Sequence, residues 1–399
     1  MSAAARSGEA VGFSVRLVAS ERDIPETFWQ ACFPPPLEGR WWFRAIENGG
    51  LEDQFEFFYA VIEQAGREVG ICPAFMMNVD ISLVAPEGLM PVIRILGKVM
   101  SSLMYQRTLF VGSPCSDEGF VGLLPGVDRD AVVELLHTTF DSESRRRGAS
   151  MLVWKDFPKG WDASLTGLRA RHRLFSLHSF PGTTVSLGDN GRDSYYAGLK
   201  SSRRNAMQRK LKRSRQLADL SVEVIQQPTA EVLDEIFALF WQTYEKASTR
   251  FETLTRRFFG ELAALDLSHF VVLREKHSGR MVAQMLCFVQ GRHVINKFIG
   301  LDYERPREWS LYFRLWDATV EWAGGIGAIE IQSGQTGYRA KIEMGHTLVP
   351  LTNHCRHRNP LVHWIYAKVA ATVSWHTLDP DLALYLKAHP LAAPTPGPS

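Results

Sequence analysis

The stretch from Asp302 to Gly345 gathers side chains that could move protons or hold anions. Glu330 stands between Ile329 and Ile331 in a short apolar run, so in a strand it projects from the face opposite those neighbours, where it could act as a base or anchor an amine. An exposed glutamate on a strand's polar face is the plainer reading of the same spacing. Tyr338 and Lys341, three residues apart, share one face of a helix. The lysine could neutralise a phosphate or carboxylate, and the phenol could serve as a general acid, although a tyrosine at a helix start usually packs. Gln332, Gln335 and His346 flank the same strand end as candidate substrate contacts. Upstream, Arg305 and Arg307 precede a helix start at Trp309 and Ser310, whose free N–H groups and positive dipole end favour phosphate oxygens.

A second cationic element lies earlier in the chain. Lys200 to Arg215 carries eight Lys/Arg and no acid, with Leu199, Met207, Leu211 and Leu217 as a thin apolar stripe, and reads as a basic helix. It has three readings: a solvated connector, a grip on phosphates or a nucleic-acid backbone through residues such as Arg203 and Arg204, or a seat on an anionic bilayer. Only Tyr195 and Tyr196 interleave it with aromatics, which argues against a base-stacking platform.

The elements that must position these residues repeat along the chain. Phe55–Ser82 and His269–Gln290 each read as two apolar runs joined by a polar turn. Each is followed by an apolar strand ending in Phe-x-Gly (Thr108–Pro114 and Val294–Asp302), a helix (Asp128–Gly148 with an Asp cap, Ser310–Gly325 with a Ser cap) and a short strand after Gly-Ala. Two copies of hairpin, strand, helix, strand predict a duplicated α/β unit. The expected boundaries are 13–190 for the first copy, 191–220 for a connecting basic helix, 221–390 for the second copy and 391–399 for a disordered tail.

Composition narrows the function classes. The chain has 399 residues, 45% hydrophobic and 22% charged, enough for two ordinary cores. Lys+Arg 45 against Asp+Glu 43 leaves +2, no whole-molecule footprint for DNA. The five cysteines lie far apart without a CxxC pair or a zinc-closing spacing, which predicts reduced thiols, no metal and a cytoplasmic protein. Met1–Gly12 lacks the pattern of an export signal, and the most apolar window, Leu89–Tyr105, is too short to span a bilayer. That window and Pro360–Trp375 look amphipathic, so peripheral contact with the inner face of the membrane stays open beside core packing. No Ser/His/Asp order, P-loop or dinucleotide fingerprint is present, which sets aside hydrolases, kinases and dehydrogenases.

Phe298–Pro350, with a strand ending at Gly300, the run IEIQSG at Ile329–Gly334 and YRAKIEMG at Tyr338–Gly345, resembles the GNAT-fold acyltransferases of the FemABX type and their N-acyltransferase relatives associated with peptidoglycan. The basic Leu199–Arg215 element is similar to the family's Lys/Arg-rich helix. The resemblance implies an α/β fold of tandem GNAT-like (acyl-CoA N-acyltransferase) units, each a mixed twisted sheet flanked by helices. It implies an N-acyltransferase that moves an acyl group from acyl-CoA, less favoured aminoacyl-tRNA, to an amine acceptor, with no tightly bound cofactor. The donor would lie along the main chain of Ile299, Gly300 and Leu301, with Arg305, Arg307, Trp309 and Ser310 at its phosphates. Glu330, Tyr338 and Lys341 would be catalytic, and Gln332, Gln335, His346, Arg203 and Arg204 would bind substrate. The family's Gly-rich phosphate loop is missing; Asp302–Trp309 stands in its place. The first copy is expected to have lost its donor site, and direct attack in a ternary complex is favoured over a covalent intermediate. The alternative is a non-catalytic GNAT-fold scaffold, or a membrane-surface binding protein that uses the basic helix for anionic partners.

Overall fold

The computed structural model describes residues 12–80, 105–247, 250 and 252–388. Most of the window at 89–105 and the tail at 391–399 lie outside the described residues. Strands β1 (Phe13–Val18), β2 (Glu56–Gln64), β3 (Arg67–Asp80), β4 (Tyr105–Val111), β5 (Gly122–Leu123), β6 (Met151–Pro158), β7 (Phe175–His178) and β8 (Gly182–Ser186) belong to the first half of the chain. The second half supplies β9 (Leu220–Ile225), β10 (Ser268–Glu275), β11 (Met281–Gln290), β12 (His293–Leu301), β13 (Glu330–Ser333), β14 (Thr347–Val349) and β15 (Leu351–His357).

The two sheets run β1-β2-β3-β4-β6-β15-β7, with β5 beside β3, and β9-β10-β11-β12-β13-β8-β14. Position by position the orders match. In each sheet a hairpin and third strand are antiparallel, and the fourth pairs in parallel with the fifth across a helix, Arg129–Arg146 in one case and Leu311–Gly325 in the other. The duplicated plan read from the sequence is therefore the architecture: tandem GNAT-like folds.

A cut at residue 190 does not divide the sheets. β8 from the first half sits between β13 and β14, and β15 from the second half sits between β6 and β7. Each half gives its last strand to the other sheet. Both crossings occur at a proline, Pro181 between β7 and β8 and Pro350 between β14 and β15. Without an N–H, proline cannot continue a ladder, so the chain leaves one sheet and joins the next there.

Alternation along the strands divides the interior into layers. Phe270 and Val272 of β10 face a central core, while Val271 and Leu273 face the opposite side. The central core is common to both halves: Trp29, Trp42, Phe43, Tyr59 and Phe75 pack with Ile236, Phe258, Phe259, Leu286 and Ile295. Its helices are Glu26–Cys32, Arg40–Asn48, Ala230–Lys246 and Arg256–Ala263, set between the two sheets. The outer face of the first sheet is covered by Arg129–Arg146 and Asp162–His172, that of the second by Leu311–Gly325 and the basic element.

The basic element forms two helices, Arg192–Gly198 and Ser201–Leu217. Met207, Leu211 and Ser214 face the core, whereas Leu217, expected in the stripe, is 49% exposed; Ala218 takes the buried position. Helix periodicity explains the difference, since 207, 211, 214 and 218 share one face. Asp128 caps its helix through Asp130 N (3.0 Å) and Ala131 N (3.2 Å). Ser310 does not cap Leu311–Gly325: it takes a left-handed conformation (φ 50°), and its side chain reaches none of the first-turn amides.

Candidate active site

β12 and β13 pair from His293/Glu330 to Asn296/Ser333, and there β13 ends while β12 runs on to Leu301. Two parallel strands thus part within the sheet. At the parting, β12 carries a bulge against β11: Leu286 faces Phe298 and Cys287 faces Asn296, so Lys297 is the extra residue. A bulge turns consecutive side chains to one side. Lys297 and Phe298 both face the central layer, the phenyl against Phe240, Phe258 and Phe259 and the ammonium 4.6 Å over the Trp42 ring.

The Lys297 side chain is 2% exposed. Its ammonium donates to Cys115 O (2.7 Å) and Asp117 Oδ1 (3.0 Å) and contacts Glu38. Asp117 also accepts from Gln332 Nε2 (3.2 Å). One cation therefore faces two carboxylates in a buried place. Burial would lower the ammonium's pKa, but Asp117 and Glu38 outweigh it and hold Lys297 protonated. Burial pushes Glu38 up to about 7, against the pull of Lys297. A half-open cavity of about 90 Å³, room for several waters, is lined by Glu38, Asp117, Glu118, Gln332 and Ser113 on a floor of Phe33 and Phe43. A carboxylate titrating near neutrality beside such a cavity suits a general base.

The expected residues divide around this centre. Gln332 is part of it. Lys341 is buried, bonded to the Gly334 and Gln335 carbonyls just past β13, and burial lowers its pKa to about 8. Gln335 leaves a buried Nε2 without a hydrogen-bond partner. His346 is 3% exposed, holds Lys341 O through Nδ1 (2.9 Å) and stacks 4.5 Å from Trp316; burial depresses it to about 3, so it is neutral. Glu330 lies one alternation before Gln332 on the same face, 3.5 Å from His293 Nδ1, and its charge contributes to raising Glu118. Tyr338 departs from its expected role. It is fully buried against Phe180, its hydroxyl donates to Pro181 O (2.8 Å), and burial raises the phenol, so in this structure it anchors the strand crossing.

On the donor side, Ile299, Gly300 and Leu301 edge the parted strand. Gly300 is required by packing, because a Cβ there would lie 2.5 Å from Phe240 N. The Leu301 amide is not free, since it donates to Thr243 Oγ1 (3.0 Å). Arg305 is likewise engaged with Asp302 (3.2 Å) and Glu275 (3.4 Å) and lies over Trp309. Arg307 is exposed near the first turn of Leu311–Gly325. A groove lined by Ser310, Glu308, Arg209, Lys210 and Arg213 opens at that turn. Arg203 and Arg204 sit about two turns earlier on the basic helix, Arg204 bonded to Tyr196 O, and do not line the groove.

The corresponding gap in the first sheet is occupied. β4 and β6 part after Val111/Trp154, and residues 112–120 fold into the opening, with Gly119 N donating to Asp156 O (2.8 Å). A Cβ on Gly119 would stand 2.1 Å from Lys155 O. This loop delivers Cys115 and Asp117 to Lys297. The Cys115 thiol is raised by burial and by Glu252, which keeps it protonated and unsuited to attack. Sequence reading missed Glu38, Asp117 and Lys297; the available signal was a lone lysine inside the apolar strand VINKFIGL.

Residues 201–341 match the family model of the acetyltransferase (GNAT) domain. The solved structure of FemX superposes with a TM-score of 0.56 at 10% identity, over 88% of this chain and 100% of that one. The chain has a tandem GNAT fold similar to that of FemX, with a GNAT domain over residues 201–341. A tandem GNAT protein from the clavulanic acid biosynthesis pathway is similar at TM-score 0.50 and 10% identity, over 87% of this chain and 99% of that one. A protein of unknown function from Bacteroides thetaiotaomicron gives 0.50 and 14% over 86% and 99%. No curated protein matches the sequence.

Proposed function

We propose that this GNAT protein transfers an acyl group from acyl-CoA, with aminoacyl-tRNA as the second candidate donor, to an amine, forming an amide by direct attack in a ternary complex. The observation that carries the reading is the cluster at the parting of β12 and β13: Glu38, titrating near 7, beside Lys297 and a cavity. The excess carboxylate favours an incoming ammonium, and Glu38 takes one of its protons. The neutral amine attacks the thioester carbonyl; the C–N bond forms and the C–S bond breaks. Lys341, poised near 8, gives a proton to the leaving thiolate and recovers one from the amide nitrogen as the intermediate collapses. The donor's phosphates rest at the first turn of Leu311–Gly325, where Arg307, Arg209 and Arg213 replace the missing Gly-rich loop. The filled gap in the first sheet supports a single donor site, in the second copy.

Thiol release from acetyl-CoA and long-chain acyl-CoA with a panel of primary amines tests the reaction. Thermal stabilisation by each donor, and by charged tRNA, separates it from the scaffold reading. A true donor adds about 2.7 kcal/mol at a hundredfold excess over its Kd. No stabilisation by any donor would leave the scaffold.

A further inference from the structure

The helix Pro360–Ala370 presents an apolar face to solvent. Leu361, Trp364 and Ile365 are 66%, 59% and 42% exposed, and with Lys368 they occupy positions i, i+3, i+4 and i+7, one face pointing away from the protein. On the side that meets the protein, His363 packs at 5.2 Å on Phe175 and Tyr366 at 5.6 Å on His357. Asn359 caps the helix through Leu361 N (2.9 Å) and Val362 N (3.2 Å), so the outward face is held by an ordered helix. Charge along this stretch of the sequence is of one sign. From Leu351 to Leu378 the sequence has no Asp or Glu, while Arg358 and Lys368, both exposed, bracket the apolar residues.

We propose that this helix seats the protein on an anionic lipid surface, lying in the headgroup plane with Leu361, Trp364 and Ile365 in the acyl boundary and Arg358 and Lys368 on lipid phosphates. No helix among the described residues is long and apolar enough to cross a membrane, so the contact is interfacial. A tryptophan between two aliphatic residues and flanking cations suits that depth, and the missing acids remove the repulsion an anionic surface would otherwise meet. The proposal is independent of the acyl-transfer reading.

Co-sedimentation of the full chain with vesicles tests it. Binding is expected to phosphatidylcholine mixed with phosphatidylglycerol and not to phosphatidylcholine alone. The triple variant L361S/W364S/I365S should lose tenfold or more in apparent affinity, and R358Q/K368Q roughly tenfold. Both sets are on the surface, and an unchanged circular-dichroism melting curve confirms folding. No binding to the mixed vesicles, or equal binding by the triple variant, overturns the proposal. So does a dimer in sedimentation velocity that the triple variant dissolves, without vesicle binding, since the face would then belong to a second copy.

Discussion

Replacing Lys297 with methionine keeps the length of the side chain and deletes its charge, leaving Glu38 and Asp117 facing each other with side chains 13% and 8% exposed. Breaking a buried ion pair by removing one partner costs about 3–5 kcal/mol, because the remaining charge is desolvated without compensation. Here the cost depends on pH. Glu38 has its pKa raised to about 7 in the folded protein from an ordinary value of 4.5, so its protonated form is the one the fold favours. A carboxyl raised in this way supports the fold below its unfolded value, and that support is lost as pH rises through the folded one. Without Lys297 the Glu38 carboxyl rises further, so K297M should lose about 3–5 kcal/mol at pH 8 and markedly less at pH 5. Urea unfolding of both proteins at the two pH values measures this, and E38Q/K297M should recover part of the loss at pH 8. A loss below about 1 kcal/mol at pH 8, or an equal loss at both, would refute the assignment of Lys297 as the charge that holds this centre together.

E38Q should lower kcat/KM for amine acylation by about 10²–10⁴ and abolish the fall in rate expected for the parent below pH 7, as read from a pH–rate profile. R209Q/R213Q should raise the KM for acyl-CoA about tenfold with kcat little changed, because both side chains line the groove at Ser310 and neither enters the cluster; an unchanged KM moves the phosphates elsewhere. His137, His346 and His354 are held neutral by burial, depressed from 6.5 to about 4, 3 and 4. Depressed values support the fold above pH 6.5 and lose that support on the way down to 4, so urea unfolding at pH 4.5 should show several kcal/mol less stability than at pH 7.

The fold was legible where local pattern repeats. Two hairpins, two strands ending in Phe-x-Gly and two helices running into Gly-Ala marked the duplication, and each fell into an equivalent place in its sheet. The exchange of last strands was not legible, because alternation identifies a strand without naming its sheet; Pro181 and Pro350 mark the crossings only once both ladders are seen. At the site, Gln332 and Lys341 could be found because they sit close in sequence to the end of β13. Glu38 and Asp117 could not. Asp117 lies 180 residues before Lys297, inside a Gly/Pro-rich loop with no periodicity, and its meaning comes only from the bulge that turns Lys297 toward it. Tyr338 shows the converse error: helical spacing placed it beside Lys341, but spacing says nothing of which side faces a core.

The difference between the two parted strand pairs explains why the centre belongs to the second sheet. Both sheets part between the fourth and fifth strands, so a duplicated ancestor would offer two openings. In the first, residues 112–120 close the gap through Gly119 and Asp156, and glycine at 119 is what lets the loop lie flat on Lys155. The same loop then presents Cys115 O and Asp117 to Lys297, while Glu38 arrives from the segment between two helices of the shared core. The first copy's opening is filled, and that copy supplies two carboxylates to the other. Neither half could assemble this centre alone: the lysine stands on one sheet, the acids on the other half of the chain, and the Trp42 ring under the ammonium is part of the common core. A second half produced by itself, even if folded, would therefore lack both carboxylates that face Lys297.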